Sequence, residues 1–210
     1  MFFDHCDTRS HELSPQEFRS ESYNHMVLNK WRITHEALVA GANVFLCGSD
    51  VVWLMDPLSE IFLHHENCDV SLANDDLLSE RNPTWMNTGV GFFRNNAATR
   101  LVIKKFLSWS EKNWKGSLSG LDDQASWQMF IESQVTVRSS SALIPCREYT
   151  GQGVTVTIEI LPARKFMDFR QWNYSGLAVR SEVFTLHYNW LNCFGQKNKR
   201  MRENSHWLVE

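Results

Sequence analysis

The sequence is short of several things, and each shortage removes a class of function. Its five cysteines, Cys6, Cys47, Cys68, Cys146 and Cys193, are scattered with no CxxC pair. Zinc-ribbon and thioredoxin-like readings therefore fall away. Basic charge is not in excess: the formal net charge is -3 and no long basic run occurs, so composition gives a nucleic-acid partner no support. No apolar run approaches the roughly 18 to 20 residues of a membrane span. The first ten residues, MFFDHCDTRS, lack the basic start and apolar core of a signal peptide. Either the protein is soluble, or any anchor lies upstream of this start. A G-x-S-x-G elbow and a P-loop pattern are also missing, which leaves little for an α/β-hydrolase or nucleotide-hydrolase reading.

What remains is globular. Of 210 residues 43% are hydrophobic and 21% charged, enough for one domain with a real core. Aromatics are plentiful, with nine Trp and thirteen Phe. Burial is the default for such rings, although a Trp left at the surface would suit stacking on a sugar ring.

The organising stretch is GANVFLCGSDVVWLMDP, residues 41–57. An apolar run ends in Gly48-Ser49, a single acid follows at Asp50, and a second apolar run, Val51 to Leu54, stops at Asp56-Pro57. A carboxylate between two buried-looking runs needs a partner, and a metal ion or an array of donors is the usual one. A site at the carboxyl end of a strand also fits open α/β sheets. The plainer alternative is that Asp50 caps a turn. Cys47, inside the first run, reads as a buried thiol, and disulfides among the other cysteines would need an oxidising compartment.

Around this stretch, Tyr23, Met26, Val27, Trp31 and Leu38 fall close to helical spacing, and Gly41 closes that helix. A strand is expected at 69–73 and another at 85–93, where Gly89 and Gly91 suggest a close approach by backbone or ligand. Leu101, Val102, Phe106 and Trp109 predict a helix over 97–114, and Asp122-Asp123 opens a further helix to about Glu132. Val154, Val156, Ile158 and Ile160 alternate as a half-buried strand, and 184–187 reads as a last one. A basic tail runs from Gln196 to Arg202. Strands alternating with helices predict an α/β domain with a mostly parallel central sheet flanked by helices.

Four segments, CGSDVVWLMDPL (47–58), MNTGVGFFRNN (86–96), LDDQASWQMF (121–130) and TLHYNWLNCFGQKNKRMRENSHW (185–207), together resemble the nucleotide-diphospho-sugar transferase family, of GT-A glycosyltransferase type. Their order and spacing match from about Tyr23 to the C-terminus. The resemblance implies a polar segment at 1–22 and a single transferase-like domain at 23–210, short of part of the N-terminal nucleotide-binding strands. It implies transfer of a monosaccharide from a nucleotide-diphosphate sugar to a glycan or glycoprotein hydroxyl, by a retaining route, in the Golgi lumen. A divalent cation, Mn²⁺ or Mg²⁺, would sit on Asp50 and His187, since hard oxygen ligands and an imidazole suit such ions. Lys197 would meet the diphosphate, with Lys199 and Arg200 as neighbours. Asp123 and Gln124 would lie beside the transferred sugar; Asn87, Gly89 and Lys30 would line the donor.

Two departures stand out. Gly48 takes the place of the first acid of the family's Asp-x-Asp turn, and Cys193 stands where a Gly usually precedes the Lys, although Gly195 lies two residues on. Each residue also has a plain structural reading: Asp122 or Asp123 as a helix cap, Asn87-Thr88-Gly89 as a turn, His187 as a core histidine, Lys30 and the tail as solvated charge. The alternative for the whole chain is an inactive relative that binds a glycan or a protein.

Overall fold

The structure, a computed structural model, describes residues 21–64, 68–75, 85–114, 121–134, 136–138, 146–151, 153–174, 181–189, 191 and 194–206. The expectation about missing N-terminal strands concerns residues outside this set.

Helix α1 spans Glu21–Val39. Its inward face is Val27, Trp31, Thr34 and Leu38, spaced i, i+4, i+7 and i+11, and Trp31 and Leu38 are completely buried. Met26, which fits the same periodicity on paper, lies on the other side and is exposed. The helix ends as expected at Gly41, whose φ of 101° is the left-handed conformation glycine adopts without strain. The Ala42 amide donates to the Ala37 carbonyl and the Gly41 amide to Leu38, the paired bonds of a Schellman motif.

Strand β1 (Val44–Cys47) and β2 (Val51–Trp53) follow, separated only by Gly48, Ser49 and Asp50. Then come α2 (Pro57–His64), β3 (Val70–Asn74), β4 (Met86–Phe93), α3 (Ala97–Asn113) and α4 (Asp123–Gln134). The remainder comprises β5 (Thr136–Arg138), β6 (Arg147–Gly151), β7 (Val154–Ile160), β8 (Phe166–Asp168), α5 (Phe169–Tyr174), β9 (Thr185–His187) and α6 (Phe194–Glu203). Side-chain caps fix the helix starts: Asn96 accepts from the Thr99 amide and Asp122 from the Ala125 amide, each from three residues on.

Two sheets result, a six-stranded one in the order β1-β4-β3-β7-β6-β5 and a three-stranded one in the order β2-β9-β8. The α/β class is as expected, but strand direction is mixed. In the larger sheet β3 and β7 are parallel, and the other described pairings are antiparallel. The reason lies in the connections. A parallel neighbour needs a crossover of a dozen residues or more, whereas β6 and β7 are two residues apart, with Gly153 at φ 75°.

The main core packs Trp31 on Trp127, with ring centroids 4.9 Å apart, and sets Phe93 and Phe106 edge-on to Trp31. A second cluster, Val90, Phe92, Ala73, Ile61, Leu161 and Phe166, fills the space between the sheets. Leu101, expected on the inner face of α3, is exposed, and its neighbours Val102 and Ile103 are buried instead. Cys47 is also exposed rather than buried, because β1 is an edge strand and its last residue turns outward. Cys68 and Cys146, both buried, form a disulfide joining the starts of β3 and β6. Among the described residues, no helix is long and apolar enough to cross a membrane.

Candidate active site

At Asp50 the chain leaves one sheet for the other. β1 pairs with β4 and β2 with β9, so the three-residue link between them must bridge the gap. Backbone bonds hold it there: the Gly48 amide donates to the Gly89 carbonyl at 2.7 Å, and the Tyr188 amide to the Asp50 carbonyl at 2.8 Å. The first bond ties the link to the large sheet and the second to the small one. Gly48 leaves room for the carboxylate to fold back, since a Cβ there would lie 2.7 Å from Asp50 Oδ1.

The Asp50 carboxylate meets His187 from β9, with Oδ1 to Nε2 at 3.3 Å, and its other oxygen accepts from Lys197 Nζ of α6. Burial alone would raise the Asp50 pKa. The hydrogen bond and charge of His187, with the charge and hydrogen bond of Lys197, outweigh it and hold the carboxyl well below its ordinary 3.8. The imidazole lies on Gly89, where a Cβ would sit only 2.1 Å from its Cε1. A glycine is therefore required at 89, as the close-approach reading of that strand expects.

A second carboxylate, Asp123, opens α4. Its Oδ2 takes Lys30 Nζ at 2.7 Å, Trp31 Nε1 at 3.0 Å and Thr88 Oγ1 at 3.0 Å, and Lys30 also donates to the Thr88 carbonyl at 3.1 Å. Asp122 supplies the helix cap, which frees Asp123 for this network. The third carboxylate is Asp75, just beyond β3. Its Oδ1 accepts from Asn87 Nδ2 at 3.0 Å and Asn189 Nδ2 at 3.1 Å, and its Oδ2 from Gln124 Nε2 at 2.7 Å. Arg170 donates to the Asp75 carbonyl at 3.1 Å and pairs with Asp168 at 2.7 Å. Asn87 joins the centres, because its Oδ1 accepts from the Gly89 amide at 2.7 Å.

Every residue the sequence singles out thus lies on this network or on α6. Asp50, His187 and Lys197 meet directly; Lys30 meets Asp123; Asn87 and Gln124 meet through Asp75. Lys199 and Arg200 do not join them: both are exposed, and Arg200 pairs with Glu203 at 2.8 Å. Asp75, Asn189 and Arg170 were not singled out. Asp75 had a signal, an acid at the carboxyl end of a buried strand, the same logic that marks Asp50. Asn189 and Arg170 had none, because their roles arise from how segments far apart in the chain pack together.

Among the described residues, no group of three or more His, Cys, Asp or Glu gathers to hold a metal ion. Asp50 and His187 nevertheless fit as a pair. Neighbouring ligands of one octahedral divalent ion stand about 3 Å apart when ligand distances are near 2.1 Å, close to the 3.3 Å found here. Among the described residues, His187 Nδ1 and Asn189 Oδ1 are buried without a hydrogen-bond partner, a condition native proteins seldom leave unexplained.

Two sheets flanked by helices in a mixed α/β arrangement make this a GT-A-like fold. The profile of the nucleotide-diphospho-sugar transferase family matches residues 2–202, and the chain belongs to that family. A similar fold occurs in the crystal structure of a glycosyltransferase involved in the glycosylation of the major capsid of PBCV-1. The TM-score is 0.52 at 15% identity, over 91% of this chain and 81% of that one. No curated protein matches.

Proposed function

We propose that this chain transfers a monosaccharide from a nucleotide-diphosphate sugar to a glycan or glycoprotein hydroxyl, with retention and with a divalent cation, Mn²⁺ or Mg²⁺, held by Asp50 and His187. The observation that carries it is the meeting of Asp50 Oδ1 and His187 Nε2, 3.3 Å apart across the two sheets, with Lys197 on the second carboxylate oxygen. A cation there would neutralise charge on the diphosphate leaving group. Asp50, with its depressed pKa, remains a carboxylate throughout the neutral range. Lys197 sits on a half-exposed helix face and can turn from Asp50 to a phosphate oxygen. Asn87, Gln124 and Asn189 are held on Asp75 and would orient the transferred sugar; Asp123 holds Lys30 and the Thr88 hydroxyl beside it.

Support for retention comes from the carboxylates. Asp75 and Asp123 each accept at least three hydrogen bonds, so both are committed to positioning rather than to proton abstraction. The leaving phosphate would then take the acceptor proton, and the protein would contribute alignment and charge stabilisation. The buried Cys68–Cys146 disulfide favours an oxidising compartment such as the Golgi lumen.

Titration calorimetry with a panel of nucleoside-diphosphate sugars, with and without Mn²⁺, tests the reading. Metal-dependent donor binding is expected. Asp50→Asn should abolish metal-dependent donor hydrolysis while leaving the circular dichroism spectrum near wild type. Full activity in that variant would remove Asp50 from the mechanism. Glycan binding indifferent to both metal and donor would instead indicate an inactive, sugar-binding relative, the reading Gly48 favours.

A further inference from the structure

Among the described residues, Trp85 is a half-exposed ring beside this network that the roles above leave unused. The Asp75 amide donates to the Trp85 carbonyl at 3.1 Å, which carries the β3–β4 register on by one pair beyond Asn74 and Met86. Opposed residues of an antiparallel pair project from the same face, so Trp85 stands beside the Asp75 carboxylate. Alternation puts Asn87 on that face too, and its bond to Asp75 shows it there. Gly89 follows under the His187 ring. Met86 and Thr88, between them, face the other way: Met86 joins the main core and Thr88 meets Asp123. Gly89, Asn87 and Trp85 therefore form a row on the cleft face, about 7 Å apart at two strand residues per step.

That row matches the order of parts in the transfer. Charge for a diphosphate gathers over Gly89, hydrogen bonds for one sugar gather at Asn87 and Asp75, and Trp85 comes next outward. An exposed ring flanked by amide and carboxylate groups suits the apolar face of a pyranose, with hydroxyls at its rim reaching the polar neighbours. Trp85 is 50% exposed, so one face of its ring is available to a ligand. Trp53, similarly exposed at 45%, is set edge-on against Phe45 and lies on β2, away from this row.

We propose that Trp85 is the platform on which the acceptor's sugar ring stacks, and hence a specificity-determining residue for the acceptor rather than the donor. The proposal rests on the transferase reading. It is tested by following nucleoside diphosphate release from the donor that calorimetry selects, alone and with methyl glycosides of glucose, galactose, mannose and xylose, lactose or cellobiose. In wild type one or more of these should accelerate release. Trp85→Ala should raise the half-saturating glycoside concentration at least about tenfold, the loss expected for one ring-stacking contact. The half-saturating donor concentration, acceptor-free hydrolysis and melting temperature should stay unchanged, and Trp85→Tyr should recover most of the loss. Equal losses in hydrolysis and transfer, or a raised donor requirement, would place the ring at the donor and overturn the proposal. So would an unchanged acceptor requirement, or a wild type that hydrolyses donor but responds to no glycoside. A wild type that neither binds nor hydrolyses any donor removes the transferase reading itself, a distinct result.

Discussion

Gly89 has no space for a side chain, because His187 already fills it. Adding one methyl group would place a carbon 2.1 Å from His187 Cε1 and 2.7 Å from Nε2. The ring is held by β9 pairing and by Asp50, so it can yield only by giving up its position. Gly89→Ala should cost about 1–3 kcal/mol of stability, as overpacking does. It should also weaken Mn²⁺-dependent donor binding about 10- to 100-fold, as disturbing a ligand's support does. Thermal melts and calorimetry on the same variant check both. Unaltered binding alongside a lowered melting temperature would mean that His187 serves packing only.

Helix α6 brings Lys197 to the site, and its attachment is local. Tyr188, next to His187 and fully buried, has its hydroxyl 2.8 Å from His206 Nδ1, just beyond the helix. Burial pushes the Tyr188 pKa up from 10.0 to about 12, only partly offset by a hydrogen bond with Asn204. The folded state thus holds this proton more tightly than the unfolded chain does. The stabilisation is complete below pH 10 and is lost as pH rises through about 12. Tyr188→Phe should lower stability by about 1 kcal/mol at neutral pH, through loss of one hydrogen bond. It should also remove the part of the alkaline unfolding that follows tyrosinate absorbance. Identical alkaline profiles in the two proteins would show that Tyr188 does not anchor the helix.

Across the whole molecule, the Cys68–Cys146 bridge closes a loop of 78 residues that contains β4, α3 and α4. Cross-linking a loop of this length removes denatured-state entropy worth on the order of 4 kcal/mol. Under reductant strong enough to open the buried bridge, the melting temperature should fall by several degrees, and donor binding should persist below the new transition. A melting temperature indifferent to complete reduction would show that the core alone supports the fold. Asn87, Thr88, Asp123 and Gln124 all lie within this loop, so the bridge encloses one wall of the cleft.

Much of this was legible in one dimension. The helix from Tyr23 and its Gly41 stop, the strands at 69–73, 85–93 and 154–160, and the lone acid at Asp50 follow from periodicity and from glycine's freedom at positive φ. Periodicity is a local property that burial imposes directly on neighbouring residues. The short strands β5 and β8, the polar β6 and the helical nature of the basic tail did not show, because each owes its shape to a partner far along the chain. Mixed strand direction escaped for the same reason: composition records what is buried but not which way a neighbour runs. The sequence by itself determined the residue types of the site and the elements that bear them. Only the tertiary structure decided that Asp50 meets His187 and that Asp75 gathers Asn87, Gln124 and Asn189, since those contacts join residues 137, 12, 49 and 114 positions apart and depend on how two sheets pack.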